Sequence, residues 1–136
     1  LRGMGRTMRK RIDDALMQVG LIHLAGRAIS QLSGGQFQRM LFARMLVQDA
    51  DILLLDEPFT GIDSQTRALL LQMIDALHRE GKTIITVLHS QSVVERHFPQ
   101  LLFLHEGHYH WGNTAEVLTN GSAPLMPAIR CAVGQA

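Results

Sequence analysis

The sequence is poor in the features that mark several common classes of protein. Its 136 residues include one cysteine, Cys131, which excludes an internal disulfide and a cysteine-based zinc site. No apolar run reaches the roughly 18 residues that a membrane span requires, and the N-terminus lacks the apolar stretch of a secretory signal. The formal net charge of +1 excludes a strongly basic nucleic-acid binder on composition alone. We therefore expect a soluble, cytosolic protein.

The residues that are present indicate a mixed globular fold. Hydrophobic residues make up 46% of the chain, which argues against disorder. The length suits one domain or part of a larger one. Because the chain begins with Leu1 rather than Met, we expect it to be part of a longer protein.

Helical and strand patterns alternate along the first two thirds of the chain. Helices are predicted over residues 8–19, 36–48 and 64–80, and the apolar runs 52–55 and 83–88 are typical of strands buried on both faces of a parallel sheet. This alternation predicts an α/β fold. Two such strands cannot form a stable parallel sheet alone, so we expect strands from outside these residues and an uncovered apolar sheet edge.

The last third of the chain has a different pattern. Residues 101–104 and 108–111 predict an antiparallel hairpin, and Thr114 predicts the N-cap of a short last helix. Residues 120–136 show little periodicity, so we expect a loose tail.

Two glycines before the second helix suggest an anion site. In Ser33-Gly34-Gly35-Gln36 the glycines let the backbone approach a ligand closely. The N–H groups and the dipole at the start of a helix favour phosphate, and Ser33 adds a hydroxyl donor. Taken alone, the same residues are also typical of a plain N-cap turn.

Two acidic residues follow the first apolar run. Asp56 falls at the carboxyl end of the predicted strand, where ligands bind in open α/β sheets and where an aspartate suits the Mg²⁺ of a bound nucleotide. The adjacent Glu57 can hold or deprotonate an attacking water. Adjacent carboxylates at a buried strand end repel each other, which argues against a purely structural role.

Two further groups complete the pattern. Gly61-Ile62-Asp63-Ser64 is typical of a turn and an N-cap. His89 follows the second strand, so it shares a sheet edge with Asp56 and can hydrogen-bond a terminal phosphate or the attacking water. Without the other motifs, a lone histidine at this place is more often a satisfied residue of the core or its rim.

The order and spacing of these groups closely resemble the C-terminal part of an ABC-type ATPase domain, over about residues 1–119. In this resemblance Leu32–Gln36 correspond to the signature motif, and Ile52–Glu57 correspond to the Walker B strand with its catalytic glutamate. Gly61–Asp63 correspond to the D-loop and His89 to the switch histidine. The resemblance implies the cofactors ATP and Mg²⁺.

The family's architecture adds expectations about fold and domains. The resemblance implies a P-loop NTPase-like α/β core with a parallel sheet, of which residues 51–119 are the C-terminal part and residues 1–50 the helical signature subdomain. No G-x-x-x-x-G-K-[ST] occurs in the 136 residues, so the Walker A part is absent from them. We expect these residues alone to be inactive as an ATPase.

The family also implies how the site residues act. Two ATPase subunits would dimerise head to tail, so that Ser33, Gly34, Gly35 and Gln36 complete the ATP site of the partner subunit. Asp56 would serve Mg²⁺, Glu57 the attacking water and His89 the γ-phosphate. Asp63 would make a contact across the dimer.

A narrower resemblance points to the ATPase subunits of zinc and manganese importers. It rests on five stretches: Leu41–Arg44, Val47–Ala50, Val87–His89, His97–Pro99 and Trp111 to Leu118. Siderophore and cobalamin importers share much of this pattern. One departure is Ser90, which follows His89 where the family usually has aspartate.

The resemblance thus implies a subunit that hydrolyses ATP to energise import of zinc or manganese. Its expected partners are a second copy of the ATPase subunit, an integral membrane permease and, indirectly, an extracytoplasmic metal-binding protein, with no nucleic acid. Its expected location is cytoplasmic, peripheral on the inner face of the cell membrane. The alternatives are a siderophore or cobalamin importer ATPase, a non-transport ABC ATPase and a non-catalytic subunit that lends its signature motif to a partner.

A histidine cluster near the hairpin raises the question of a metal site. His105, His108 and His110 are close in sequence, and the last two fall on one face of a strand. A third ligand and supporting hydrogen bonds are not evident in the sequence. We therefore favour a solvated hairpin, with a zinc site as the alternative.

Overall fold

The computed structural model describes residues 5–105, 107–120 and 129–134. Five α-helices and five strands follow one another in these residues, together with two short 3₁₀ turns, Ile22–Leu24 and Ile29–Gln31. The helices are α1 Arg6–Gln18, α2 Gly34–Gln48, α3 Ser64–Arg79, α4 Gln91–His97 and α5 Thr114–Asn120. The strands are β1 Ile52–Asp56, β2 Thr83–Leu88, β3 Gln100–His105, β4 His108–Asn113 and β5 Ile129–Gly134.

The chain divides into two units. Among the described residues, the first unit comprises 5–50 and 61–72, and the second comprises 51–60, 73–105, 107–120 and 129–134. Residues 61–72 group with the helices of the first unit by their contacts. The division into a helical signature subdomain over residues 1–50 and a part of the ATPase core over residues 51–119 stays a prediction.

In the first unit, α1 and α2 secure each other's C-terminal ends. The Arg11 guanidinium on α1 donates a 3.1 Å hydrogen bond to the carbonyl of Val47 near the end of α2. The Arg39 guanidinium on α2 donates a 3.2 Å bond to the carbonyl of Val19, just after α1. A cation at a helix C-terminus satisfies carbonyls that have no intrahelical partner. These two hydrogen bonds therefore fix how α1 and α2 lie side by side.

The second unit is built on a mixed sheet with the order β1-β2-β5-β3-β4. The predicted parallel pairing of β1 with β2 is confirmed, with Asp56 opposite Val87. The predicted hairpin is also confirmed, since β3 and β4 pair antiparallel from Gln100 opposite Asn113 to His105 opposite His108. The α/β fold class is therefore the one that the sequence predicted.

The expectation of a loose tail over residues 120–136 is wrong for residues 129–134. These residues form β5, which pairs antiparallel with both β2 and β3 in the interior of the sheet. The run Ile-Arg-Cys-Ala-Val is short and follows a proline-rich stretch, so its period-2 pattern was too weak to mark a strand. Sheet pairing, and not local propensity, makes this segment a strand.

The two faces of the sheet differ in burial. The buried face carries Leu53 of β1, alternate residues of β2 such as Ile84, and Leu101 and Phe103 of β3. On the opposite face Leu54 is 74% exposed, and Tyr109 is 71% exposed. The expectation that β1 is buried on both faces is therefore wrong here, because the described residues cover only one of its faces.

The last helix is capped differently from the prediction. The Oδ1 atom of Asn113 accepts a hydrogen bond of 3.0 Å from the backbone N–H of Ala115. The buried Thr114 instead donates from Oγ1 to the carbonyl of Phe98. Asn113 thus caps α5, while Thr114 ties the helix to the segment that follows α4. None of the described helices has the length and apolar character needed to cross a membrane.

Candidate functional site

The shortest hydrogen bond among the predicted site residues joins Glu57 to His89. Because β1 and β2 are parallel, their carboxyl ends meet at one edge of the sheet, and these two residues each follow a strand. The Nε2 atom of His89 lies 2.5 Å from Oε1 of Glu57, across 32 positions of sequence. Strand pairing therefore brings together the two residues that the sequence predicted to be catalytic.

Glu57 has an unusual backbone conformation. Its φ angle is +43°, in the left-handed region that few residues other than glycine adopt readily. Its N–H donates a 3.1 Å hydrogen bond to the carbonyl of Val87, which extends the β1–β2 pairing beyond Asp56. A strained backbone that the surrounding structure holds in place is often found at functional sites. Here the unusual φ occurs at the residue whose side chain meets His89.

The Glu57 carboxylate is held by two side chains. Besides the bond to His89, its Oε2 atom accepts a hydrogen bond of 2.9 Å from the hydroxyl of Thr60. The hydrogen bond from His89 is the main cause of a lowered pKa of Glu57, and the bond from Thr60 is the second. Both stabilise the charged carboxylate, so Glu57 is ionised near neutral pH. An ionised carboxylate can accept a proton from water.

Asp56 is the last residue of β1, and it is exposed. Among the residues that the structure describes, no hydrogen bond or ion pair engages its carboxylate. Carboxylate oxygens are the ligands that Mg²⁺ prefers, and Mg²⁺ is bound through one or two of them together with waters and phosphate oxygens. An exposed carboxylate at the carboxyl end of a parallel strand pair therefore fits the Mg²⁺ of a bound nucleotide.

The second group of predicted residues begins α2 in the first unit. Ser33 is the N-cap, and its Oγ accepts a 3.3 Å hydrogen bond from the N–H of Gln36. The Oε1 atom of Gln36 in turn accepts a 3.0 Å bond from the N–H of Ser33. This capping box fixes the first turn. The first intrahelical bond of α2 is donated by the N–H of Phe37 to the carbonyl of Ser33. The earlier N–H groups of Gly34 and Gly35 have no intrahelical acceptor, so they can bind an anion such as phosphate.

Asp63 lies against this turn. Its Oδ1 accepts a bond from the N–H of Thr66 and its Oδ2 accepts one from the Thr66 hydroxyl, each 2.8 Å long. These bonds, with the backbone one the larger cause, hold the pKa of Asp63 below its usual range. A Cβ atom on Gly35 would lie 3.6 Å from Oδ2 of Asp63, and one on Gly34 would lie 3.8 Å from the carbonyl of Gly61. Residues 61–63 thus pack directly beside the predicted signature turn.

Ser90, the departure from the family pattern, is the N-cap residue of α4 but makes no side-chain capping bond. Its Oγ lies 3.2 Å from Oγ of Ser92 instead. An aspartate at this place would be able to accept from the N–H groups of the first turn. The helix α4, which follows His89, therefore begins without a side-chain cap. The side chain of His89 is held by its hydrogen bond to Glu57.

The structure thus gathers the predicted residues into two groups. Asp56, Glu57 and His89 share one edge of the sheet in the second unit. Ser33, Gly34, Gly35, Gln36 and Asp63 lie together in the first unit. The sequence reading missed Thr60, although the pattern Glu-Pro-x-Thr, with proline at the second position of a turn, is a local signal that could have found it. No cluster of three metal-ligating side chains occurs in the described residues, which exclude the side chain of His105.

Comparison with known proteins shows which proteins this chain resembles. The family model described as "ABC transporter" matches residues 3–60. A manganese transport system ATP-binding protein of Halalkalibacterium halodurans is 38% identical over 115 residues, which are 85% of this chain and 46% of that protein. A zinc transport system ATP-binding protein of Treponema pallidum is 40% identical over 100 residues, which are 74% of this chain and 38% of that protein. The chain thus spans less than half the length of these relatives.

A solved structure supports the same assignment. The structure of an ABC transporter in an inward-facing conformation superposes with a TM-score of 0.78 at 27% identity. The match covers 85% of this chain and 47% of that one. The chain is similar to part of the ATP-binding proteins of ABC transporters, and its fold is that of part of an ABC ATPase domain. Among the similar proteins are ATP-binding proteins of manganese and zinc transport systems.

Proposed function

We propose that this chain is part of the ATP-hydrolysing subunit of an ABC transporter that imports a divalent metal ion, zinc or manganese. The observation that carries the proposal is the 2.5 Å contact between Glu57 and His89, beside Asp56 at the carboxyl end of paired parallel strands. Relatives named as manganese and zinc transport ATP-binding proteins support the choice of ion.

The side chains divide the chemistry of ATP hydrolysis among themselves. Glu57, ionised near neutral pH, orients a water molecule and accepts its proton as the water attacks the γ-phosphoryl group. The bond between the γ-phosphorus and the β-phosphate oxygen breaks, and ADP leaves. His89 fixes the carboxylate and can hydrogen-bond the γ-phosphate. Asp56 would hold Mg²⁺, which would neutralise charge on the phosphates. The groups that cradle the other phosphates must come from outside these 136 residues, since they contain no Walker A motif.

The first unit contributes to a different ATP molecule. The N–H groups of Gly34 and Gly35 and the hydroxyl of Ser33 would face the γ-phosphate held by a second ATPase subunit, with Gln36 securing the turn. Asp63, whose two oxygens are bonded to Thr66, would hold its loop in shape for a contact across the dimer. ATP binding would close the homodimer and hydrolysis would reopen it.

The motion of the dimer would be transmitted to an integral membrane permease. The proposed subunit is therefore cytoplasmic and peripheral on the inner face of the membrane. An extracytoplasmic metal-binding protein would deliver the ion to the permease.

Metal uptake by cells tests the proposal. We expect cells whose natural polypeptide carries Glu57→Gln to lose ATP-dependent uptake of radioactive Mn²⁺ or Zn²⁺, because glutamine cannot accept the proton. The matched control is Glu80→Gln, an exposed glutamate just after α3. Uptake of both ions at the wild-type rate in the Glu57→Gln cells would contradict the proposed function. Loss of siderophore or cobalamin uptake instead would support the alternative importer.

A further inference from the structure

The structure places a second hydroxyl-bearing residue on the carboxylate of Glu57. We propose that Thr60 is a positioning residue that holds Glu57 in the rotamer needed to activate water. This inference rests on the proposed function, because it assigns Thr60 a part in the same hydrolytic step. Nothing in the sequence pattern alone assigned a role to Thr60.

Thr60 is tied to Glu57 by two hydrogen bonds. Its backbone N–H donates to the carbonyl of Glu57 over 3.1 Å, which closes a four-residue turn. Its hydroxyl donates to Oε2 of Glu57 over 2.9 Å. The backbone bond closes the turn, and the side-chain bond crosses the same turn. The Thr60 hydroxyl and the Glu57 carboxylate therefore have little freedom to move relative to each other.

The turn itself is anchored on both sides. Pro58 occupies its second position, where the ring presets φ, and both Pro58 and Phe59 are buried. The N–H of Glu57 is bonded to the carbonyl of Val87, which fixes the start of the turn to β2. The two residues before Thr60 are buried, which fixes the backbone that carries its side chain. Thr60 itself is exposed, so a substitution there does not disturb the packing of the core.

The two oxygens of Glu57 are bonded from different directions. His89 contacts Oε1, and Thr60 contacts Oε2. One hydrogen bond alone leaves a carboxylate free to rotate about it, whereas two bonds on different oxygens fix the plane of the group. A fixed plane presents the remaining lone pairs to water in one direction, and orientation of this kind contributes directly to rate. Without Thr60 we expect the Glu57 side chain to sample several rotamers.

Steady-state kinetics on the natural polypeptide test this role. We expect Thr60→Val, which keeps the branched shape but removes the hydroxyl, to lower kcat about tenfold with KM for ATP unchanged, since one hydrogen bond to a charged group is lost. Thr60→Ser keeps the hydroxyl and should restore kcat to within about twofold of wild type. Thr119→Val, which removes an exposed hydroxyl from α5, is the matched control. An unchanged kcat in Thr60→Val would overturn the proposal.

A double variant separates positioning from a general structural effect. In a Glu57→Gln background, Thr60→Val should lower the residual rate no further, because the group that it positions is already disabled. A further tenfold loss in that background would contradict a role through Glu57.

A second readout keeps this inference distinct from the proposed function. Three-bond couplings measured by NMR report the rotamers of the Glu57 side chain in selectively labelled polypeptide. We expect one dominant rotamer in the wild type and in Thr60→Ser, and averaging among rotamers in Thr60→Val. If the wild type hydrolyses no ATP, the proposed function fails, but these couplings still decide whether Thr60 positions Glu57. Identical couplings in wild type and Thr60→Val would overturn it.

Discussion

The two units of the chain hold their candidate site residues by different means. In the first unit, Ser33 and Gln36 fix each other within one turn, and the groups offered to a ligand are backbone N–H groups. In the second unit, the groups offered are side chains that meet only because β1 and β2 pair, as Glu57 and His89 do across 32 positions. The first arrangement depends on local sequence, while the second depends on the sheet. Substitutions should therefore damage the two sites in different ways.

The largest expected effect comes from a charge placed at the backbone site. Gly35→Asp would put a carboxylate beside Oδ2 of Asp63 and in front of the N–H groups that we propose bind phosphate. We expect ATP-dependent dimerisation of the natural polypeptide to weaken about a hundredfold, because like charges at an interface cost several kcal/mol. Light scattering with and without ATP measures this.

The control for this variant is Gly26→Asp, where an added Cβ meets nothing within 4 Å. It should dimerise as the wild type does. If Gly35→Asp dimerises at the same ATP concentrations as the wild type, the N–H groups at the start of α2 do not face a phosphate.

A smaller effect is expected from loss of the capping box. Ser33→Ala removes the acceptor for the N–H of Gln36, and the free energy of unfolding should fall by about 1 kcal/mol. Urea unfolding followed by circular dichroism measures the change. Ser64→Ala at the exposed start of α3 is the control, and we expect little change there. Equal losses in the two variants would contradict a capping role for Ser33.

The smallest expected effect is a pH dependence at Asp63. Its pKa is lowered in the folded state from the ordinary value of 3.8 by bonds from Thr66, so its contribution to stability is complete above pH 3.8. The contribution is lost as pH falls through the lower pKa of the folded state. Asp63→Asn should therefore be less stable than wild type at pH 6, and the difference should shrink in strong acid. A difference that is constant across this pH range would contradict the assignment, and Glu80→Gln serves as control.

The same contrast explains what could be predicted from the sequence. Local patterns identified α1 to α3, the parallel pair of strands and the hairpin, because period and capping residues are written in adjacent positions. They missed β5, whose residues become a strand only by pairing with β2 and β3. Local patterns also predicted that β1 is buried on both faces, which is wrong. An apolar run does not reveal which face of a strand is left uncovered.

The candidate site shows the same division. The capping by Ser33 could be anticipated from a serine three residues before glutamine. The left-handed φ of Glu57 could not be derived from composition or spacing, because it depends on how the turn after β1 is anchored. The bond from Thr60 had a local signal in the pattern Glu-Pro-x-Thr, which predicts a turn that brings the two residues together.

The most direct test of the account is the ATP turnover of purified natural polypeptide carrying Glu57→Gln. The account predicts a loss of about a hundredfold or more, since general base catalysis contributes at least that much. It also predicts that ATP still drives dimerisation, because glutamine leaves the N–H groups of Gly34 and Gly35 in place. Glu80→Gln should turn over ATP at the wild-type rate. Wild-type turnover in Glu57→Gln would contradict the assignment of Glu57, and with it the central claim that the edge shared by β1 and β2 is a hydrolytic site.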